Sequence, residues 1–135
     1  MLPMTVSTHL MFQNGKAEAA LDLYRSVFPG FSVTSVDKYD PEDNASGLIK
    51  IAEINFDGHQ LIIIDSPIQH KFDFTPSVSL FVNFDNITDL ERAFERLAVN
   101  GSIMMPLDDY GFSERFGWLS DVFGVSWQLN LPTTA

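Results

Sequence analysis

The fold rests on the stretch DVFGVSWQLNL, Asp121–Leu131, in which a turn that closes on Gly124 leads into an apolar strand. A similar unit occurs earlier in the chain, where Asp57 and Gly58 form a hairpin signal between two apolar runs rich in β-formers. The glycines of the two units are 66 positions apart. This correspondence predicts that the second half of the chain repeats the first.

An amphipathic helix precedes each of these turns at a similar distance. Apolar residues recur at helical spacing along Ala17–Phe28 and again along Leu90–Ala98. A repeat of about half the chain, with one helix and several strands in each copy, indicates two modules that each leave a sheet face to be paired. We predict an α+β fold of tandem βαβββ modules. The helices should cover the apolar sheet faces and bury Leu21, Tyr24, Phe94 and Leu97.

The length and composition are those of one globular domain. The chain has 135 residues, of which 45% are hydrophobic and 19% are charged. A chain of this size buries about two thirds of the surface that it exposes when unfolded. We expect a single domain over residues 1–135, with the first module at about 5–65, a linker at 66–77 and the second module at about 78–131.

Charge and cysteine content exclude several classes of function. Eighteen Asp and Glu against eight Lys and Arg give a formal net charge of −10, which disfavours nucleic acid as a partner. The chain has no Cys, so a metal would need His, Asp, Glu or Gln as ligands. No run of residues has the pattern of a signal peptide or a membrane span. We expect a cytoplasmic protein without a membrane partner.

Local signals place the elements of each module. A strand over Thr5–Phe12 precedes Asn14, which is expected to cap the first helix. Thr88 and Glu91 have the spacing of a capping box for the second helix. A last strand pair is preceded by a strand near Ser102–Met105 and by a polar loop, PLDDYGFSER. The predicted order is βαβββ, twice.

A tight turn at Asp57 and Gly58 would also fix the register of the first hairpin. Phe56 would then face His59, and Glu53 would face Ile62 on the next strand. Glu53 is expected to share its sheet face with isoleucines and to be desolvated there unless it is paired or the strand end is open to water. These neighbours are Ile49, Ile51, Ile62 and Ile64.

Four motifs, in this order, resemble one superfamily. They are His9 on the first strand, AEAALDLY at Ala17–Tyr24, FTPSVSL at Phe74–Leu80 and FGVSW at Phe123–Trp127. The order is similar to that of the vicinal oxygen chelate superfamily, which includes glyoxalase I, bleomycin-resistance proteins, fosfomycin-modifying enzymes and extradiol dioxygenases. Within it the chain resembles the PhnB-like branch, whose members are often labelled 3-demethylubiquinone-9 3-methyltransferase-like. The resemblance implies two βαβββ modules around a curved-sheet cleft, often completed in a homodimer.

The resemblance also implies where a divalent metal would bind. In active superfamily members a His on the first strand of a module and a Glu on the last strand commonly hold the metal. His9 fits the first position, and its counterpart in the second module is expected at Ser77–Ser79. The last-strand positions, four residues after each turn glycine, are Ile62 and Gln128. The candidate metal ligands are His9, Glu53 and Gln128, and the predicted ligand cleft consists of His9, Glu53, Ile62, Ser79, Phe81 and Gln128.

Other polar and aromatic residues give weaker signals. Ser79 has no evident base beside it, and His70 and Lys71 are expected to be solvated. Tyr110 and Phe112 lie in a Gly-containing loop, where they either pack in the core or an interface or flank a cleft that takes an apolar or aromatic ligand. Most of the remaining aromatic residues are expected in the core. They include Phe12, Phe72, Phe74, Phe81, Trp118 and Trp127.

Three functions fit these observations. The first is a glyoxalase/bleomycin-resistance-like protein that binds a small organic ligand, with a degenerate metal site. The second is a divalent-metal-dependent enzyme of the lyase, transferase or dioxygenase type. The third is a structural dimer with a vestigial cleft. A methyltransferase is disfavoured, because the sequence has no glycine-rich strand–turn–helix loop for S-adenosylmethionine.

Overall fold

The computed structural model describes residues 3–133. Residues 1, 2, 134 and 135 of the expected single domain lie outside this part. The observed order is βαβββ, twice, which confirms the prediction of an α+β fold with two such modules. The elements are β1 Thr8–Phe12, α1 Ala17–Val27, β2 Phe31–Lys38, β3 Ile49–Phe56, β4 His59–Asp65, β5 Ser79–Asn83, α2 Ile87–Ala98, β6 Ser102–Asp108, β7 Arg115–Ser120 and β8 Ser126–Leu131.

Two compact units of the same topology make up the chain, Met1–Lys71 and Phe72–Ala135. Unit one has a four-stranded sheet of order β1-β4-β3-β2, and unit two has one of order β5-β8-β7-β6. In each sheet the first strand runs parallel to its neighbour and the other pairs are antiparallel. The boundary between the units falls within the segment predicted as a linker. That the whole chain is one domain stays a prediction.

The core of unit one lies between α1 and one face of its sheet. Leu21 and Tyr24 of α1 are buried as predicted, and so are Leu61 and Ile63 of β4. The Tyr24 ring meets the Phe31 ring edge-on, with centroids 5.6 Å apart. Burial of each of these large side chains contributes about 1.5–3 kcal/mol. This apolar layer fixes which face of the sheet the helix covers.

A buried carboxylate joins three elements of unit one. Asp65, the last residue of β4, is 2% exposed. Its Oδ1 accepts a hydrogen bond from the backbone N–H of Ala17 at 2.9 Å, and its Oδ2 accepts one from the N–H of Ile49 at 2.9 Å. The prediction that Asn14 caps α1 is therefore wrong. Asn14 has a φ of 60°, and the helix begins without a local side-chain cap because a distant aspartate occupies its N-terminus.

The turns that revealed the repeat have matching backbone geometry. Gly58 and Gly124 have φ values of 91° and 93°, a region that residues with a Cβ rarely adopt. Three positions before each turn glycine, the Asn55 side chain accepts from the Gly58 N–H, while the Asp121 carboxylate accepts from the Phe123 and Val125 N–H groups. The correspondence between the two turns is therefore present in the structure.

Unit two packs α2 against its sheet in the same way. Phe94 and Leu97 are buried as predicted, and Phe94 fills the space that a side chain at Gly117 would need. The capping-box prediction for Thr88 and Glu91 is wrong, because the N-cap is Asn86, two residues before Thr88, and its side chain accepts from the Asp89 N–H.

Strand β6 differs from its predicted bounds. It continues from Ser102 to Asp108, so Pro106 and Leu107, which the sequence predicts in a loop, belong to the strand. Its ladder with β7 is irregular between Ile103 and Asp108, and a strand at the edge of a sheet tolerates a proline. Across residues 3–133, no helix is long and apolar enough to cross a membrane.

Substitution of Asp65 tests its role as the common cap. We expect Asp65→Ala to lower the free energy of unfolding by about 2–4 kcal/mol, because two buried N–H groups lose their acceptor. Urea unfolding followed by circular dichroism measures this. The control is Asp22→Ala, which removes an exposed ion pair with Arg25 and should cost under about 1 kcal/mol. A loss for Asp65→Ala no larger than that of the control would contradict the assignment.

Candidate functional site

The sheet face of unit one opposite α1, which we call its helix-free face, has a row of chemically distinct side chains. His9 of β1 pairs in register with Ile62 of β4, which pairs with Glu53 of β3, which pairs with Ser35 of β2. Since alternate residues point to opposite faces, all four share the face opposite the buried Leu61 and Ile63. The predicted pairing of Glu53 with Ile62 is confirmed.

Glu53 lies in a more polar setting than its sequence neighbours indicated. It is exposed, and its Oε2 accepts a hydrogen bond from the Ser35 hydroxyl at 3.2 Å. Ile49 does not share its face. Asp37 pairs with Ile51 and Lys38 pairs with Ile49, so Lys50 is an extra residue that reverses the alternation, and Ile49 is buried. Of the alternatives for Glu53, the structure therefore shows the carboxylate that is paired and reaches water, and the expectation that Ile49 shares its face is wrong.

The helix-free face of unit two has a corresponding row. Phe81 of β5 pairs with Gln128 of β8, which pairs with Trp118 of β7, which pairs with Met105 of β6. The pair Phe81 and Gln128 occupies the same place in its sheet as His9 and Ile62 in theirs. The counterpart of His9 is therefore Phe81. The expected counterpart at Ser77–Ser79 is wrong by two residues, because β5 does not begin until Ser79.

Hydroxyl and amide groups form a continuous network beside this row. The Ser79 and Ser126 hydroxyls are 2.6 Å apart, Gln128 Nε2 donates to Ser79 Oγ at 3.2 Å, and Trp118 Nε1 donates to Ser126 Oγ at 2.8 Å. None of these partners is a base that could activate Ser79. The arrangement gives Ser79 a structural role and leaves Gln128 Oε1 to accept from another group.

Four aromatic side chains cluster at the other end of the same face. Phe116, which is 4% exposed, lies within 6.2 Å, between ring centroids, of Phe81, Tyr110 and Phe112. Phe81 is 54% exposed and so does not belong to the core as expected, and Phe112, at 62% exposed, does not pack in the core, which leaves its interface and cleft alternatives. Phe72, at 63% exposed, also departs from that expectation, whereas Phe12 and Trp127 are buried.

Asn130 is a polar residue of this face that the sequence analysis missed. It pairs in register with Phe116 and with Asn83, and it is 8% exposed. Its Nδ2 donates to Asn83 Oδ1 at 2.8 Å, while its Oδ1 is buried without a hydrogen-bond partner. Alternation of the last strand would have placed Asn130 on the face of Gln128, which is the signal that could have found it.

His70 is more engaged than the sequence predicted. Its Nε2 lies 3.0 Å from the Ser66 hydroxyl, and its backbone N–H donates to Gln13 Oε1 at 2.6 Å. It is partly buried, whereas Lys71 is exposed as expected. The Ser66 hydroxyl also bonds the Ile68 carbonyl, so the pair stabilises the chain after β4 and does not form a nucleophile and base.

The predicted site residues thus fall into two sets, one in each unit. His9, Ile62 and Glu53 form one row, and Ser79, Phe81 and Gln128 lie together on the other sheet. His9 and Glu53 are two strands apart, which corresponds to roughly 10 Å between their Cα atoms. In the described part of the chain, no three His, Asp or Glu side chains come together as metal ligands. That the two sets converge on one cleft stays a prediction.

Comparisons with known proteins agree with this architecture. The family model of 3-demethylubiquinone-9 3-methyltransferase matches residues 4–130. The PhnB protein from Bacillus cereus is 40% identical, with a TM-score of 0.89 and coverage of 95% of this chain and 99% of that chain. A glyoxylase/bleomycin resistance protein/dioxygenase domain from Frankia sp. EAN1pec is 13% identical with a TM-score of 0.69, over 100% of this chain and 96% of that chain, which is a likeness of fold alone.

A curated relative matches part of the chain. Protein YjdN of Escherichia coli (strain K12) is 26% identical over 80 residues, which are 59% of this chain and 54% of that protein. The match therefore spans about half the length of that relative. Because the family model covers nearly all of the sequence and the 40% identical PhnB protein is matched almost end to end, the chain belongs to the 3-demethylubiquinone-9 3-methyltransferase family.

Proposed function

We propose that the protein binds a small organic molecule on the helix-free faces of its sheets and does so without a resident divalent metal. One observation carries this proposal. The strand partner of His9 is Ile62, and the strand partner of Gln128 is Phe81. Each polar candidate ligand therefore has an apolar side chain at the adjacent position, where a second ligand would be needed.

The donor set argues against a metal centre of the superfamily type. A site for Zn²⁺, Fe²⁺ or Mn²⁺ needs at least three good ligands held close together. Here His9 supplies one imidazole, Glu53 is two strands away and hydrogen-bonded to Ser35, and Gln128 supplies only an amide oxygen. The residues present do not fit the group, which disfavours the metal-dependent enzyme.

The name of the family does not by itself assign methyl transfer to this chain. Cofactor loops that hold a nucleotide are rich in glycine and lead from a strand into a helix. The connection from β1 to α1 contains Gly15 as its single glycine, and the connection from β5 to α2 contains none. This supports a binding protein over a transferase.

The proposal includes a homodimer and excludes nucleic acid. Superfamily members commonly complete their clefts across two copies, and the sheet edges of each module need cover. The formal net charge of −10 repels a phosphate backbone and is compatible with an uncharged or cationic ligand. A structural dimer that binds nothing is the alternative, and the exposed aromatic cluster of unit two favours a ligand over it.

The metal content of the protein tests the first half of the proposal. We expect protein purified without chelator to contain far less than one divalent ion per chain. Added Mn²⁺, Ni²⁺, Zn²⁺ or Fe²⁺ should shift the melting temperature by under about 2 °C, whereas saturation of a micromolar site at millimolar metal would raise it by roughly 10 °C. Elemental analysis and thermal unfolding measure the two quantities. A stoichiometric metal that His9→Ala removes would replace this proposal with the metalloenzyme.

Substitution of His9 tests the second half. A set of defined aromatic and heteroaromatic fragments is screened by saturation-transfer NMR against the wild type, His9→Ala and His59→Ala. His59 is a matched control, an exposed histidine of the same unit that bonds Thr8. We expect His9→Ala to change the affinity of bound fragments by about threefold or more and His59→Ala to leave it unchanged, with both variants folded. Equal effects of the two variants would remove His9 from the site.

A further inference from the structure

Unit two presents an aromatic surface that is both exposed and ordered. This aromatic patch consists of Phe81, Tyr110, Phe112 and Phe116. Phe112 meets Phe116 edge-on at 5.0 Å between centroids, and Tyr110 lies nearly parallel to Phe112 at 6.3 Å with an interplanar angle of 17°. Phe116 is buried beneath the other three, each of which is at least 37% exposed. Contiguous aromatic surface of this kind marks a binding site more often than a random surface.

The loop that carries half of the patch is held in place by its own hydrogen bonds. Tyr110 Oη donates to the Pro106 carbonyl, so the phenol group is occupied within the chain and the ring presents an apolar surface. The Asp109 carboxylate accepts from the Gly111 N–H at 2.8 Å, and Gly111 adopts a φ of 95°. A ligand that meets these rings therefore does not have to order them first.

An unsatisfied acceptor lies beside the patch. Asn130 is the register partner of Phe116, on the same sheet face, and its Oδ1 is buried without a hydrogen bond. A buried polar atom without a partner costs about 1–3 kcal/mol, so such atoms are rare unless a missing group satisfies them. Gln128 is the register partner of Phe81, and its amide oxygen has no hydrogen-bond partner among the described residues. Both atoms accept hydrogen bonds and neither can donate.

The charges around the patch have one sign. Unit two has Arg92, Arg96 and Arg115 as its only basic residues. The first two are on α2, and Arg115 alternates with Phe116 and thus belongs to the helix-covered face. Asp108, in contrast, pairs with Phe116 and is exposed. An anionic ligand would find a carboxylate and two amide oxygens, and no basic side chain of this sheet face would offset its charge.

We propose that the aromatic patch binds a planar aromatic ligand that carries an N–H donor or an ammonium group, and that it discriminates against anionic ligands with the same ring. The ring stacks on Phe112 and Phe81, and the nitrogen group donates to Asn130 Oδ1. This inference rests on the proposed small-molecule function and specifies the class of ligand. It assigns recognition to unit two, whereas the proposed function depends also on His9 in unit one.

Three probes with one ring system test the preference. They are 1-naphthylmethylamine, 1-naphthalenemethanol and 1-naphthylacetate, whose binding is measured by fluorescence anisotropy and by chemical shifts of the aromatic side chains. We expect the amine to bind about tenfold more tightly than the acetate, with the alcohol between them. The shift changes should include Phe81, Phe112 and Phe116. Equal affinities, or tighter binding of the acetate, would overturn the inference.

Substitutions separate the two parts of the recognition. Phe112→Ala should weaken all three probes by roughly fivefold to tenfold, because it removes stacking that they share. Asn130→Leu should weaken binding of the amine most and of the alcohol less, and it should not weaken binding of the acetate, which has no N–H or O–H group to donate. If Asn130→Leu does not fold, Gln128→Leu serves the same purpose on the neighbouring oxygen. Val122→Ala, an exposed apolar residue in the turn at the other end of β7, is the control and should change nothing.

Two further outcomes would overturn the inference. If Phe112→Ala dissociates a dimer in sedimentation experiments and leaves probe affinity unchanged, the patch is an interface between copies of the chain. If no naphthalene probe binds at millimolar concentration while the fragment screen finds other ligands, the class of ligand is wrong and the proposed function stands. Stoichiometric metal in the purified protein would instead contradict the proposed function and leave the probe preference as a separate result.

Discussion

Each four-stranded sheet has two faces and a single helix to cover them, so one face of each sheet stays without a helix. This constraint determines where polar groups are found. A helix of 11 or 12 residues is about 17 Å long and close to 10 Å wide, enough to shield one face of a small sheet and no more. The shielded faces are accordingly apolar, from Leu61 and Ile63 in unit one to Leu119 and Leu129 in unit two. The candidate functional residues of the strands lie on the opposite face, where alternation along the strand puts them.

The helix-free faces of the two units carry different side chains at equivalent positions, although the strand registers correspond. Unit one sets His9 beside Ile62, while unit two sets Phe81 beside Gln128, so polar and apolar residues have changed places between equivalent strand pairs. Neither pair concentrates ligands for a metal, and both mix a hydrogen-bonding group with an apolar surface. Such a mixture suits an organic molecule that has a ring and a few polar atoms.

The sequence predicted the topology well, because the signals for it are local. Turn glycines at positions 58 and 124 and the helical stripes around Tyr24 and Phe94 are short-range patterns that the structure reproduces. The sequence-based predictions failed where a residue distant in the chain determines the local structure. The cap of α1 comes from Asp65, which is 48 positions away from Ala17 and cannot be recognised by spacing. The bulge at Lys50 and the start of β5 at Ser79 shifted two side-chain assignments, since an error of one or two residues in a strand changes the partner or the face.

The site was predictable in part for the same reason. The register of Glu53 and Ile62 followed from a tight turn, whereas the exposure of Phe81 and the burial of Asn130 depend on how much of each residue its neighbours cover, which no periodicity gives. Convergence of residues from both units is a question of long-range geometry and lies beyond any local pattern.

The hydrogen bonds of Asp65 affect how each unit unfolds locally. Because one carboxylate holds the first turn of α1 and the first residue of β3, these segments cannot detach separately, and the amides of Ala17 and Ile49 should exchange with solvent together in one cooperative event. The position of unit two that corresponds to Asp65, seven residues after the turn glycine, is Leu131, whose side chain cannot accept hydrogen bonds from a helix and a strand. The first turn of α2 is capped by Asn86, which bonds Asp89 three residues along the chain. This turn can therefore fray without disturbing the sheet. Two modules of one topology thus differ in their cooperativity, the first opening as a whole and the second in parts.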